Sequence, residues 1–257
     1  MGLMKLIGLR RLLPRSIRAR FRNQWNDLLS LEQHFRERRF YRGFIQPGDL
    51  VFDVGANRGS KSGAFLSLGA NVVAIEPNPI CVEYMRKRYL REINRKQLRV
   101  KEAAVTSDSG QISLLVFDDD AEMCSGSEEF LKYAEQVGYT GARQVTAEAT
   151  TLDELVREFG LPTYIKIDVE GMDADVIRGL SKRPRFLSFE YNTADPLWKI
   201  TKDCFDQVNR LGFSEANYTR TVDPRLQLGS WISLNDALSN FARLKERGDH
   251  WGDVIVR

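Results

Sequence analysis

The chain has 257 residues, 28% of them charged and 42% hydrophobic, with a formal net charge of +3. That length suits one large α/β domain with a substantial core, and no apolar run approaches the ~20 residues needed to cross a bilayer. Cys81, Cys124 and Cys204 form no C-x-x-C motif, which implies a reducing, cytoplasmic setting, and two histidines, His34 and His250, argue against a His-rich metal site, so no metal is expected.

The charge is unevenly spread. Residues 1–43 hold eleven Lys/Arg against three Asp/Glu, and the remainder holds 27 against 32. Residues 1–22 carry seven basic residues and no acid, interleaved with Leu and Ile. They lack the apolar core of a secretory signal. Two readings stay open: a basic amphipathic segment lying peripherally on an anionic inner-membrane surface, or a solvated helix packing on the domain. No aromatic-interleaved basic patch points to nucleic acid. Helical spacing continues through Trp25, Leu28, Leu29 and Phe35, predicting one face packed on the sheet. Residues 1–46 therefore read as a helical extension and 47–257 as the main domain.

Asp49 to Pro79 is the most informative stretch. Leu50-Val51-Phe52 reads as a strand meeting Asp53. The turn Gly55-Ala56-Asn57-Arg58-Gly59 follows, then a helix over Ser60–Leu68 and a second strand, Val72–Ile75, ending in Glu76. The glycines let backbone approach a ligand, and Glu76 is placed to accept hydrogen bonds from ribose hydroxyls. A nicotinamide site would show G-x-G-x-x-G; here Asn57 stands where the second glycine belongs. Asp53, two residues before Gly55, would repel a pyrophosphate but suits a ligand with sulfonium and ammonium groups.

Farther on, Ile80–Arg95 predicts a helix, Leu98–Val105 a third strand and Ile112–Phe117 another. Residues 118–145 break the pattern with Asp118-Asp119-Asp120 and several glycines, and read as a lid over the substrate. Val145–Thr150 is a short strand, and Thr151 with Glu154 forms a capping box. In Thr163–Asp168, strand alternation puts Tyr164, Lys166 and Asp168 on one face and Ile165 and Ile167 on the other. Lys166 then needs a partner, and Asp168 is the candidate. Asp168 and Glu170 lie at the carboxyl end of this strand, and Phe186–Phe189 ends likewise in Glu190. Each acid has a structural alternative: Asp168 pairing with Lys166 or capping a helix, Glu190 holding a loop. A helix over Pro196–Gly212, a strand over Phe213–Thr219, a second insertion at 220–248 and a final strand at Asp253–Val256 complete the chain.

The segments DVGANRG, IEPNP and YIKIDVEGMDADVIRGL, in that order, resemble the FkbM-type methyltransferases, a class I S-adenosylmethionine-dependent family. The resemblance covers roughly Pro47 to Asn192. It implies a doubly wound, Rossmann-like α/β sheet of about seven strands. It implies S-adenosylmethionine held by Asp53, Gly55, Asn57, Gly59, Glu76, Asn78, Ala104 and Asp168, with Ala104 beside the adenine. It also implies methyl transfer to a hydroxyl of a sugar, glycan or small metabolite, with Asp168, Glu170 and Glu190 as candidate acids on the catalytic rim. A non-catalytic cofactor-binding module and a nicotinamide oxidoreductase are the alternatives.

Overall fold

The computed structural model describes residues 33–117, 124–139, 141–220, 224–246 and 251–257. The basic residues 1–22, Trp25, Leu28 and Leu29, and Asp118-Asp119-Asp120 lie outside the described residues. The first described helix, α1, covers 33–41. The remaining helices are α2 (Ser60–Ser67), α3 (Pro79–Arg88), α4 (Leu90–Asn94), α5 (Glu128–Gln136), α6 (Leu152–Phe159), α7 (Asp173–Arg178), α8 (Trp198–Arg210) and α9 (Leu234–Glu246).

Among the described residues the main sheet has eight strands. In spatial order they are β11 (Ile232–Ser233), β10 (Glu215–Tyr218), β12 (Trp251–Val256), β9 (Phe186–Asn192), β8 (Tyr164–Ile167), β1 (Leu50–Val54), β2 (Asn71–Ile75) and β3 (Leu98–Lys101). β3, β2, β1, β8 and β9 run parallel, and β12 is antiparallel to both β9 and β10. The chain moves outward from β1 to β3 and returns to β8 on β1's other side. The crevice between β1 and β8 at their carboxyl ends is therefore a topological switch point, where open α/β sheets bind ligands.

Strand alternation sorts the core into two layers. Phe52, Val54, Val73, Ile75, Ile165, Ile167, Leu187 and Phe189 face α6 to α9. Val51, Val72, Ala74, Tyr164, Phe186 and Ile255 face α2, α3 and the chain just before β1. The central strands are buried on both faces, which explains their near-continuous apolar sequences.

Several expected elements are redrawn. The strand expected over Leu98–Val105 is split: β3 stays in the main sheet, while β4 (Ala104–Val105) joins a second sheet of order β4-β7-β5-β6, with β7 Ala142–Thr150, β5 Gly110–Phe117 and β6 Cys124–Ser125. The eight-residue pairing of β5 with β7, Gly110 opposite Ala149 through Phe117 opposite Ala142, makes most of the expected lid the connection between two antiparallel strands, carrying β6 and α5. The helix expected over Ile80–Arg95 breaks at Tyr89, whose hydroxyl donates to the Gly59 carbonyl at 2.7 Å. Phe35 points away from the core, at 63% exposed.

The buried face of α1 carries Glu37 and Tyr41 instead. The Tyr41 ring meets those of Phe65 and Tyr164 at centroid distances of 4.7 and 5.7 Å. Glu37 is 2% exposed and accepts from Lys61 Nζ at 2.9 Å, tying α1 to the first turn of α2. Removing only the cation strands a buried carboxylate. Lys61→Met is expected to lower stability by about 1–3 kcal/mol, and Glu37→Met in the same chain to restore most of it. Urea unfolding of the two single variants and the double variant checks this; additive losses would show that the pair does not join the helices.

Candidate functional site

The turn after β1 shows why the sequence folds as it does here. Gly55 has φ +72°, and a Cβ on it would stand 1.8 Å from the Asp168 carbonyl oxygen. Only glycine lets β1 and β8 part at this distance. The N–H groups of Gly55 and Ala56 both donate to the Ile75 carbonyl, at 3.0 and 3.1 Å, folding the turn against the end of β2.

Glu76 follows directly. Its carboxylate is 4% exposed and accepts the backbone N–H groups of Asn57 (2.8 Å) and Asn78 (2.9 Å). Each oxygen keeps a further lone pair. Burial pushes the Glu76 carboxyl above its ordinary range, opposed by those two hydrogen bonds. The Asn78 side chain accepts the Ile80 N–H and caps α3, with Pro79 in the first turn.

These residues border an open cleft at the switch point, with a cavity volume of about 100 Å³. Val54, Gly55, Asn57, Ile75 and Glu76 form one side, and Asp168, Val169, Glu170 and Met172 another. Ala103, Ala104, Leu114, Cys124 and Ser125 close it from the second sheet and its approach. Apolar walls, a carboxylate at the end of β2 and a close backbone turn suit a ligand with a flat heterocycle, a diol and a positively charged end.

Of the residues expected to hold a cofactor, Gly55, Asn57, Glu76, Ala104 and Asp168 line the cleft. Asp53, Gly59 and Asn78 stand behind it. Asp53 is fully buried, with Oδ2 accepting from Ser62 Oγ at 2.6 Å. Lys166 finds the expected partner: its Nζ is 3.0 Å from Asp168 Oδ2, and also 3.8 Å from Asp53 Oδ1.

The expected catalytic acids divide between two places. Asp168 and Glu170 face the cleft. Glu190 lies beyond the Glu170-Gly171 turn, in a small neighbouring pocket with Phe130, Gly171, Asp173 and Leu197. Asp173 Oδ1 accepts the Glu190 N–H at 3.3 Å, and Asp253 stands opposite Glu190 across β9 and β12. Burial raises Asp53, Asp173, Glu190 and Asp253 above their usual range, Asp173 to about 7. Burial pushes Asp168 the same way, but the Lys166 ammonium more than reverses it and leaves Asp168 lowered.

Sequence reasoning missed Leu114, Cys124, Ser125, Asp173 and Asp253. Asp253 carried a weak signal, as a lone acid within an otherwise apolar stretch, while Asp173 stood unmarked among Asp168, Glu170 and Asp175. The second sheet carried none, because its wall depends on where the β5–β7 hairpin folds. Ser125 Oγ donates to the Glu170 carbonyl at 2.7 Å, and a Cβ on Gly171 would stand 2.9 Å from Phe130 Cβ. The segment thus docks on the turn that carries Glu170. Among the described residues no cluster of three or more His, Cys, Asp or Glu side chains is arranged to hold a metal ion.

A model of the methyltransferase FkbM domain matches residues 53–214. The 31-O-demethyl-FK506 methyltransferase FkbM of Streptomyces tacrolimicus is 28% identical over 162 residues, covering 53% of this chain and 61% of that protein. The hexuronic acid methyltransferase AglP of Haloferax volcanii is 29% identical over 144 residues, covering 55% and 54%. The chain thus spans little more than half the length of these curated relatives. Among solved structures, a TehB-like SAM-dependent methyltransferase of Corynebacterium glutamicum aligns with a TM-score of 0.46 at 11% identity, over 93% of this chain and 96% of that one.

The buried acids make stability depend on pH. Asp173 sits near 7 in the folded protein, above the ~4 of an unfolded aspartate. The native state therefore binds this proton more tightly, and the group's contribution to stability falls as pH rises from about 4 through 7. Asp173→Asn keeps an oxygen for the Glu190 N–H and removes the charge. It is expected to stabilise the protein at pH 8 by about 1–4 kcal/mol and by little at pH 5, as read by urea unfolding. Equal effects at both pH values would show that Asp173 does not titrate between them.

Proposed function

The chain belongs to the methyltransferase FkbM domain family, and from that premise we propose that it transfers a methyl group from S-adenosylmethionine to a hydroxyl of a sugar, glycan or related small metabolite. The observation that carries the reading is the switch-point cleft, where Glu76 and the Gly55 turn stand on one side and the ionised Asp168 on the other.

The residues present fit the cofactor. Glu76 has lone pairs left for a ribose diol, the backbone at Gly55 and Asn57 leaves room for close approach, and Ile75, Ala104 and Leu114 offer apolar surface to an adenine. The buried Asp53 and the rim acids favour a cationic end over a pyrophosphate. When bound, S-adenosylmethionine supplies a methyl carbon already activated by its sulfonium.

The protein's part is then to align an acceptor oxygen and take its proton. Asp168 is the base in this reading. It faces the cleft, and Lys166 keeps it ionised despite its surroundings. Glu190 is a poorer base, because burial and its acidic neighbours hold its proton. Glu170, beside Asp168 on the same rim, orients the acceptor.

Calorimetry tests the cofactor half. Glu76→Ala is expected to weaken S-adenosylmethionine binding at least about tenfold, the loss of charge-assisted hydrogen bonds of ~1.5–3 kcal/mol; unchanged affinity in a folded variant would remove Glu76 from the site. Turnover tests the other half. Asp168→Asn is expected to lower kcat by about 10²–10⁴ on a hydroxyl acceptor found by screening glycans and small alcohols with labelled cofactor, while cofactor affinity changes by only a few-fold. Near-normal turnover would make Asp168 structural.

No helix among the described residues is long and apolar enough to cross a membrane. We infer that residues 1–22, with seven basic side chains and no acid, let the protein meet acceptors at an anionic membrane surface, at ~1 kcal/mol per basic residue. The full chain is expected to co-sediment with anionic but not neutral vesicles at low salt, and a chain starting at Asn23 with neither. Equal sedimentation of the two would end this idea.

A further inference from the structure

Lys166 is 2% exposed and sits in β8, the strand next to β1. An isolated ammonium there would be strongly destabilising. Its pairing is lopsided. Asp53 Oδ1, at 3.8 Å, is beyond hydrogen-bond reach and has no hydrogen-bond partner, while Asp168 Oδ2, at 3.0 Å, is within it. Asp53 is immobilised from behind, because Ser62 Oγ donates to its other oxygen at 2.6 Å. A fixed, fully buried carboxylate, a buried ammonium and a cleft-facing carboxylate thus form a row, and the Asp168 side chain at its end is 37% exposed.

We infer that Lys166 is a positioning residue for methyl transfer, its ammonium braced by Asp53 behind the cofactor turn and aiming the Asp168 carboxylate into the cleft. This rests on the reading of Asp168 as the base. Strand geometry supports it: Lys166 and Asp168 are two residues apart on one face, and Asp53 lies beside Lys166 in the β1–β8 register.

The surroundings make the ammonium necessary. Burial disfavours the charge of Asp168, and the field of Asp168 in turn raises Asp173 from α7, Glu190 from β9 and Asp253 from β12. Glu170, two residues on, adds to the same acidic rim. Lys61 of α2 is the other cation whose field reaches Asp168, and it is committed to Glu37. Without Lys166, Asp168 keeps its place among acids and loses its strongest reason to stay ionised.

The test measures the proton on Asp168 directly. The ¹³C carboxyl titration of aspartate-labelled protein, with Asp168 assigned by difference from Asp168→Asn, is compared between the wild type and Lys166→Met. Because that variant leaves Asp53 buried and uncompensated, the double variant Asp53→Asn/Lys166→Met is measured beside it and is expected to fold. In either variant the Asp168 midpoint is expected to rise by about 1–3 pH units, and the acid limb of kcat to rise with it. Lys166→Arg is expected to keep both low. An unmoved midpoint overturns the role of Lys166 and leaves Asp168→Asn to judge the base. A midpoint that moves while the kcat limb stays shows that Asp168 is not the base, and the positioning role falls with it. A uniform loss of activity at every pH, with both midpoint and limb in place, shows Lys166 to be structural only.

Discussion

The missing side chain of Gly55 allows the Asp168 carbonyl to occupy the space where a Cβ would be. This contact joins the end of β1 to the end of β8, the two strands between which the topology reverses. Everything in the cleft is referred to it. The Gly55–Gly59 turn folds back on β2 and brings the Asn57 N–H to Glu76. Asp168 is carried forward by the same close approach, its own N–H donating to the Val54 carbonyl at 3.1 Å. A bulkier residue at 55 would wedge the strands apart and separate the two halves of the site together.

Charge is distributed around that junction by position. Two cations, Lys61 and Lys166, stand among Glu37, Asp53, Asp168, Asp173, Glu190 and Asp253 in this half-buried region. Burial alone pushes a carboxyl to hold its proton, and Asp53, Asp173, Glu190 and Asp253 follow that rule. Asp168 departs from it because, unlike those four, it accepts a hydrogen bond from an ammonium, Lys166 Nζ at 3.0 Å. Chemically similar acids thus take different roles from their distance to one lysine. Carboxyls whose hold on the proton is strengthened in this way bring less negative charge to the rim, which makes an ionised Asp168 at the cleft tenable.

The sheet's centre was legible in the sequence because its signals are local. Apolar runs ending in Asp53 and Glu76, a glycine turn between them and alternation in Thr163–Asp168 each follow from nearest-neighbour chemistry, and the Lys166–Asp168 pair followed from two residues' spacing. The edges were less legible. Leu98–Val105 reads as one strand because its composition never changes; that β3 and β4 belong to different sheets depends on β7, some forty residues away. Phe35 was placed inward by spacing, yet Glu37 and Tyr41 take the buried face because Lys61 and an aromatic cluster await them. A buried glutamate cannot be inferred before its partner is known. Asp173 and Asp253 were passed over for the same reason: their significance comes from meeting Glu190 across three elements.

The second sheet shows how this site acquires a boundary that its central strands do not encode. β5 and β7 pair over eight residues without help from the main sheet, so the hairpin holds its own shape while β6 and α5 reach the cleft. Two contacts fix them there: Ser125 with the Glu170 carbonyl, and Phe130 against Gly171, which has φ +89°. Glu170 itself has a φ of +52°, an uncommon conformation for a residue with a side chain. The turn that carries it is therefore held from both sides, by β8 behind and by the hairpin segment in front. A change in that segment would reach the cleft through the Glu170-Gly171 backbone before it reached Glu76 or the Gly55 turn. One wall of the cleft can thus vary in such a scaffold while the Glu76 half stays fixed.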